Sequence, residues 1–175
     1  MSSAKGKILR FRSGVVLRRG TVIAARDIGG FQRLVVRCER LHVADGQTVQ
    51  NLLPSDDTRT YTPIPSPGGM VLLGWKAAGG PGSHWLSNAR PGDELAFVAP
   101  QRSLELDAGP VVLVGDETSV AVAAAFATER PGQTHAVIHA DAAFDVRAAA
   151  DSVGLYKIDV VARGDLHSLV DAVVT

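Results

Sequence analysis

Three short runs of the sequence combine residue types that chemistry uses. The first is Arg59-Thr60-Tyr61-Thr62-Pro63. An arginine can make paired hydrogen bonds to phosphate, and a tyrosine can stack on a flat heterocycle. Side chains alternate along a strand, which puts Arg59 and Tyr61 on one face and Thr62 on the other. The same run also reads as plain strand. The second is Gly80-Pro81-Gly82-Ser83, ahead of a short helix. Glycines let a ligand approach the backbone, and the free N–H groups at a helix start favour an anion such as pyrophosphate. A glycine turn capped by Ser looks the same when it binds nothing. The third is Gly115-Asp116-Glu117-Thr118, which follows an apolar run and opens a helix. Ligands of open α/β sheets bind beyond the carboxyl ends of strands, so these residues border an expected crevice. Two carboxylates there would repel phosphate, and Gly-x-Gly-x-x-Gly is absent, so this is not a glycine-rich dinucleotide cradle. Capping by Asp116 is a sufficient reason for that residue.

The elements that must position these runs change in kind along the chain. Up to about residue 105 the pattern is of short strands divided by Gly, Pro and Asp turns, over 14–24, 32–40, 47–53, 59–64, 70–76 and 94–98. That spacing suits a small antiparallel barrel. One short helix, 83–88, interrupts it before the Arg90-Pro91-Gly92-Asp93 turn. From residue 107 strands alternate with helices: 111–114, 118–130, 135–139, 142–153, 156–161 and 166–173. Such alternation argues for βαβ units and a parallel sheet. Val111-Val112-Leu113-Val114 is apolar at every position, as in a parallel strand covered on both faces. The expected fold class is therefore an antiparallel β barrel over 1–106, followed by a small parallel βαβαβα layer over 107–175.

Composition narrows the function classes. The chain has 175 residues, 46% of them hydrophobic and 21% charged, which excludes disorder as its main state. The longest near-apolar run, 119–127, is well short of the ~20 residues of a membrane span, and the basic start lacks the apolar core of a signal peptide. A cytoplasmic location with no membrane span is expected. A single cysteine, Cys38, rules out an internal disulfide framework or a Cys-rich metal site. His135 and His139 form the one close histidine pair, and no metal site is assigned to it. The net charge of zero divides into +8 over residues 1–40 and −8 over the rest. Basic residues interleaved with strand apolars, with no recognition helix or aromatic platform, argue against a nucleic-acid partner.

The order and spacing of Arg59-Thr-Tyr-Thr-Pro63, Gly80-Pro-Gly-Ser-His-Trp85, Arg90-Pro-Gly-Asp93 and Val112-Leu-Val-Gly-Asp-Glu-Thr118 resemble the siderophore-interacting protein family, within the ferredoxin-reductase-like flavoproteins. The resemblance covers roughly residues 14–130. It implies a flavin-binding barrel followed by a nicotinamide-nucleotide domain. Tyr61 would stack on the isoalloxazine ring, Arg59 would neutralise the FAD pyrophosphate, and Thr62 would lie near the reactive ring nitrogen. Gly80, Gly82 and Ser83 would hold the pyrophosphate, and Thr118 would belong to the same cofactor site. No protein residue is assigned as catalytic, because the flavin would be the reactive group. The implied activity is electron transfer from NAD(P)H through FAD to a ferric chelate.

The sequence also departs from that family. It has Leu73-Gly74 where a His often precedes the glycine, and Ala99-Pro100-Gln101-Arg102 where a Gly-Pro-x-Gly turn is common. The nucleotide domain is expected to be shortened to three βα units. That would make 111–114 a sheet edge and leave the nicotinamide crevice without one wall. An apolar edge needs a cover, and a homodimer is expected to supply it. Two alternatives stay open: a flavin-binding electron-relay module that docks on a partner or on itself without binding NAD(P)H directly, and a flavin-free remnant. Arg10, Arg12, Arg18 and Arg19 are candidates for drawing an anionic ferric chelate towards the flavin edge.

Overall fold

The computed structural model describes residues 17–77 and 79–174. Its first part is a seven-stranded antiparallel sheet built from β1 (Leu17–Ile28), β2 (Phe31–Arg37), β3 (Gln47–Leu52), β4 (Thr58–Tyr61), β5 (Pro63–Ser66), β6 (Gly69–Trp75) and β7 (Glu94–Arg102). The spatial order is β4-β3-β7-β1-β2-β6-β5. The two edges, β4 and β5, are joined by Thr62 alone. The chain thus passes from one edge of the sheet to the other in a single residue, and the sheet has to curl until its edges adjoin. The result is barrel-like without being closed by a hydrogen-bonded ladder.

The single strand expected over 59–64 is therefore two. Tyr61 pairs with Val49 of β3, whereas Pro63 pairs with Leu72 of β6. Proline has no N–H to donate, and it suits the first residue of an edge strand. The other expected strands are found, with ends shifted by a few residues: β1 runs four residues beyond 24 and β7 four beyond 98. Inside the barrel, alternate residues such as Leu34, Val36, Val49, Met70, Leu72 and Phe97 form a core. Leu86 enters it from α1 (Gly80–Asn88), a helix that plugs one end.

The second part is a three-stranded parallel sheet of β8 (Val111–Gly115), β9 (Thr134–His139) and β10 (Ile158–Val161), in the order β10-β9-β8. Its helices are α2 (Val120–Glu129), α3 (Ala143–Ser152) and α4 (Leu166–Val174). α2 explains the long apolar run. It lies between the barrel wall and the parallel sheet, so Val120, Ala121, Ala123, Ala124, Ala125 and Phe126 are all buried. A helix apolar nearly all round is what such a position requires. Its alanines share one continuous core with Phe31, Val71 and Leu73 of the barrel and with Ala136 and Ile138 of β9. Two polar ties reinforce this packing. The Gly30 N–H donates to Asp145 Oδ2 of α3 at 2.8 Å. Arg130 pairs with Asp45 at 2.8 Å and donates to the Leu106 and Asp107 carbonyls, pinning the connection between the two sheets to the end of α2.

One expectation fails here. β8 is not covered on both faces: Leu113 packs into the core, but Val112 and Val114 are 46% and 51% exposed. Among the described residues β8 is also an edge strand, as expected. No helix among the described residues is long and apolar enough to cross a membrane.

Candidate functional site

A cavity of about 410 Å³ lies between the barrel edge, α1 and the start of α2. Six of the seven residues singled out from the sequence line it: Arg59, Tyr61, Thr62, Gly82, Ser83 and Thr118. Strand alternation had put Thr62 on the opposite face from Arg59 and Tyr61. All three line the cavity because the chain breaks between β4 and β5 at Thr62, and at that break strict alternation no longer applies.

Each group is held by a local cause. Gly82 is buried, and a Cβ there would stand 3.2 Å from Arg59 Cγ and 3.2 Å from the Tyr61 hydroxyl. A side chain in place of that hydrogen would push the Arg59–Tyr61 cluster away from the helix. Tyr61 also packs on Trp85, with ring centroids 5.5 Å apart and planes inclined by 46°. Burial pushes its phenol up to about 12, only partly opposed by the Arg59 cation, so the ring is neutral at ordinary pH. Arg59 Nη1 donates to the Thr58 carbonyl at 2.8 Å.

α1 starts at Gly80, three residues earlier than expected, with Pro81 in its first turn. Ser83 is not its cap. The residue at the cap position is Gly79, which has no side chain to offer, and Ser83 Oγ instead donates to the Gly79 carbonyl at 3.0 Å. The first N–H groups of the helix are thus free of any side-chain cap. Gly80 stands at this helix start but lines a different, larger cavity.

Asp116 behaves as expected, accepting hydrogen bonds from the Thr118 backbone at 2.9 Å and the Thr118 hydroxyl at 2.5 Å. The turn it caps is a 3-10 turn, Glu117–Ser119, that leads into α2. The charge of the second carboxylate is met by a residue that sequence reasoning missed. Glu117 is buried and bonds to Arg163 Nη2, while Arg163 Nε lies 3.4 Å from Asp141. Arg163 follows β10 at the carboxyl end of a parallel strand, and that position was the available signal. Trp75 was missed too. It lines the cavity in step with Leu73, two residues away on the same face of β6.

The basic residues proposed for steering are placed elsewhere. Arg19 pairs with Glu94 at 3.4 Å with both side chains exposed, and Arg18 reaches the Arg40 carbonyl at 3.5 Å; neither lines the cavity. Arg10 and Arg12 lie outside the described residues. His135 bonds to Asp159 at 2.7 Å, and His139 accepts from the Gly164 N–H at 2.9 Å, so the two histidines have separate partners.

No family model matches the sequence, and no curated protein matches it. Solved structures do. A phthalate dioxygenase reductase, described as a modular structure for electron transfer from pyridine nucleotides to [2Fe-2S], superposes with a TM-score of 0.70 at 15% identity, over 88% of this chain and 54% of that one. A siderophore-interacting protein of Acinetobacter baumannii gives 0.64 at 14% identity, over 91% and 73%. The FAD/NAD-binding domain of a Vibrio cholerae nitric oxide dioxygenase gives 0.62 at 17% identity, over 83% and 73%. The fold is thus of the ferredoxin-reductase type, and the chain spans about half the length of the first of these structures.

Proposed function

We propose that the chain is a flavin-dependent electron-transfer protein that holds FAD in the 410 Å³ cavity, is reduced by NAD(P)H and passes electrons to a ferric chelate of the siderophore kind. The observation that carries this reading is convergence: three segments far apart in sequence, at 59–62, 82–83 and 118, line one cavity. The residues fit a flavin. Tyr61 is a neutral, half-buried ring, and Arg59 is a cation beside it. The uncapped start of α1 offers N–H donors, and Gly79 and Gly80 are open backbone where a Cβ would meet nothing within 4 Å. A pocket of this size is in the usual range for a small ligand.

Under this reading Arg59 neutralises phosphate charge, Tyr61 stacks, and Gly82 and Ser83 donate from the helix start. Thr62 and Thr118 supply hydroxyl and backbone groups at the ring end. Bound flavin would supply the conversion between a hydride donor and a one-electron acceptor. The balance is one NAD(P)H oxidised, two Fe(III) reduced to Fe(II) and one proton released. Residues 1–106 are taken as the flavin-binding part and 107–175 as the nucleotide-binding-like part. An absorption spectrum tests the reading: added FAD should be retained, bleached by anaerobic NADPH and restored by a ferric chelate. A preparation that takes up no flavin would overturn it.

The exposed edge of β8 favours a second reading. No strand flanks β8 on its outer side among the described residues. A relay module that binds FAD but not NAD(P)H, and docks through this edge on a second copy of the chain, is consistent with that. Retained flavin that neither NADH nor NADPH bleaches would select this reading. Light scattering at micromolar concentration should then give twice the chain mass, and a monomer would sink the homodimer.

A further inference from the structure

Asn51 occupies an inward position of β3, two residues along from Val49, where an apolar side chain is the ordinary choice. It is fully buried, and neither Oδ1 nor Nδ2 of its amide has a hydrogen-bond partner. A buried amide left in that state costs stability, and such a group calls for a reason. Strand register shows what lies on each side of it. Asn51 pairs directly with Arg59 of β4 and with Phe97 of β7, and Val49 pairs with Tyr61. Residues directly opposite one another stand on the same face of a sheet, with Cβ atoms about 4.5–5.5 Å apart. Val49 and Phe97 belong to the barrel core, whereas Arg59 and Tyr61 line the 410 Å³ cavity. The idle amide therefore stands between the apolar core and the cation of the cavity.

We propose that Asn51 is a positioning residue for Arg59: its Oδ1 accepts from the Arg59 Nε–H when the guanidinium leaves the Thr58 carbonyl for a phosphate. The inference rests on the flavin reading of the cavity and deepens it by naming what aims the phosphate cation. A guanidinium has N–H donors and no acceptor, so of the two ends of the amide the oxygen is its match. In this structure Arg59 Nη1 is engaged by the Thr58 carbonyl at 2.8 Å, which ties the head to its own strand. To hold a phosphate with two parallel N–H groups, the head has to leave that bond and needs a new hold behind its fork. The stem is already bounded by α1, since a Cβ on Gly82 would stand 3.2 Å from Arg59 Cγ and 3.4 Å from Cδ. Across the strand pair from that stem is Asn51. The amide oxygen gains its partner only in the ligand-bound state, and this couples Asn51 to phosphate capture.

The test is a double-mutant cycle on FAD affinity, read by flavin fluorescence, with melting of each flavin-free protein alongside. Asn51→Leu keeps the branched outline of the side chain, and Asn51→Ala adds no bulk; whichever melts nearer the parent is carried through the cycle. Because the amide has no partner without ligand, that substitution should leave flavin-free melting unchanged or raised. FAD should bind about tenfold more weakly, the usual scale for a hydrogen bond to a charged group. In an Arg59→Ala background the same substitution should change FAD affinity by less than about twofold, because the partner is gone. A merely structural role would lower the affinity equally in both backgrounds. Equal effects in the two backgrounds, no effect in either, or a fall in flavin-free melting with both substitutions would overturn the Asn51 assignment and leave the flavin reading standing. Failure of the parent protein to bind FAD would bring down both.

Discussion

Replacing Gly82 with alanine separates what the cavity needs from what the fold needs. Gly82 lies in the first turn of α1 without a positive φ, so alanine is allowed there and gains up to about 1 kcal/mol of helix propensity. Against this, the new Cβ would stand 3.2 Å from both Arg59 Cγ and the Tyr61 hydroxyl, closer than ordinary contact. Relieving such crowding costs about 1 kcal/mol when the neighbours can yield. The two effects oppose, so melting without flavin should shift by less than about 4 °C in a chain of this size. Flavin binding has no such compensation, because the side chains that yield are Tyr61 and Arg59, proposed to stack on the flavin and to neutralise its phosphate. A stacked aromatic contact is worth about 0.5–1.5 kcal/mol and a charge-assisted hydrogen bond about 1.5–3 kcal/mol. Partial loss of both should weaken FAD by about tenfold to a hundredfold. Flavin fluorescence titration measures the affinity, and thermal melting of the flavin-free protein measures the fold. Unchanged affinity together with unchanged melting would refute the assignment of Arg59 and Tyr61 to the flavin.

Other outcomes follow from single contacts. Arg59→Ala should weaken FAD by about tenfold or more, most clearly at low salt, with little change in melting; titration calorimetry at two ionic strengths checks this, and equal affinities would place the pyrophosphate elsewhere. Arg163→Ala leaves the buried carboxylate of Glu117 without its cation and should cost about 2 kcal/mol, discounted because the Arg163 side chain is 44% exposed. Glu117→Gln should cost less, and the reverse order in thermal melting would refute the account. Cys38 is buried, its thiol is pushed up by burial, and Sγ donates to the Arg19 carbonyl at 3.2 Å. Alkylation at pH 8 should therefore be slow until the chain is unfolded, and equal labelling in buffer and in urea by mass spectrometry would contradict this. Tyr61 rises from 10.0 to about 12 on folding, so its contribution is complete below pH 10 and is lost between pH 10 and about 12. The unfolding free energy from denaturant titrations should fall across that window by about 1.4 kcal/mol per pH unit from this group, and Tyr61→Phe should remove that part of the slope.

The change from strand grammar to βαβ grammar was legible because both parts rely on local signals. Turn residues separate β1 to β7, and apolar runs alternate with helical periods from residue 111 onward. Two features were not legible, because each depends on what packs against the segment. The run 111–114 has the composition of a fully covered strand, yet Val112 and Val114 are exposed, since only the face that carries Leu113 packs against the core. The run 59–64 has the composition of one strand. It is two because Tyr61 pairs with β3 and Pro63 with β6, at opposite ends of the strand order, and pairing is a long-range property that residue order does not carry.

The candidate site divides along the same line. Arg59, Tyr61, Gly82, Ser83 and Thr118 could be found because chemistry requires those types and because each sits beside a turn or a helix start. Arg163 could not, since its value depends on Glu117 lying buried opposite it across the carboxyl ends of β8 and β10. That ion pair also alters what the Gly115-Asp-Glu-Thr118 run means. Read as a string, it presents two negative charges to any phosphate. In the fold, Asp116 is occupied by the Thr118 backbone and hydroxyl, and the charge of Glu117 is met by Arg163. The run therefore presents Thr118 to the cavity with the carboxylate of Glu117 buried and paired, so the repulsion an anionic ligand meets in this run comes chiefly from Asp116.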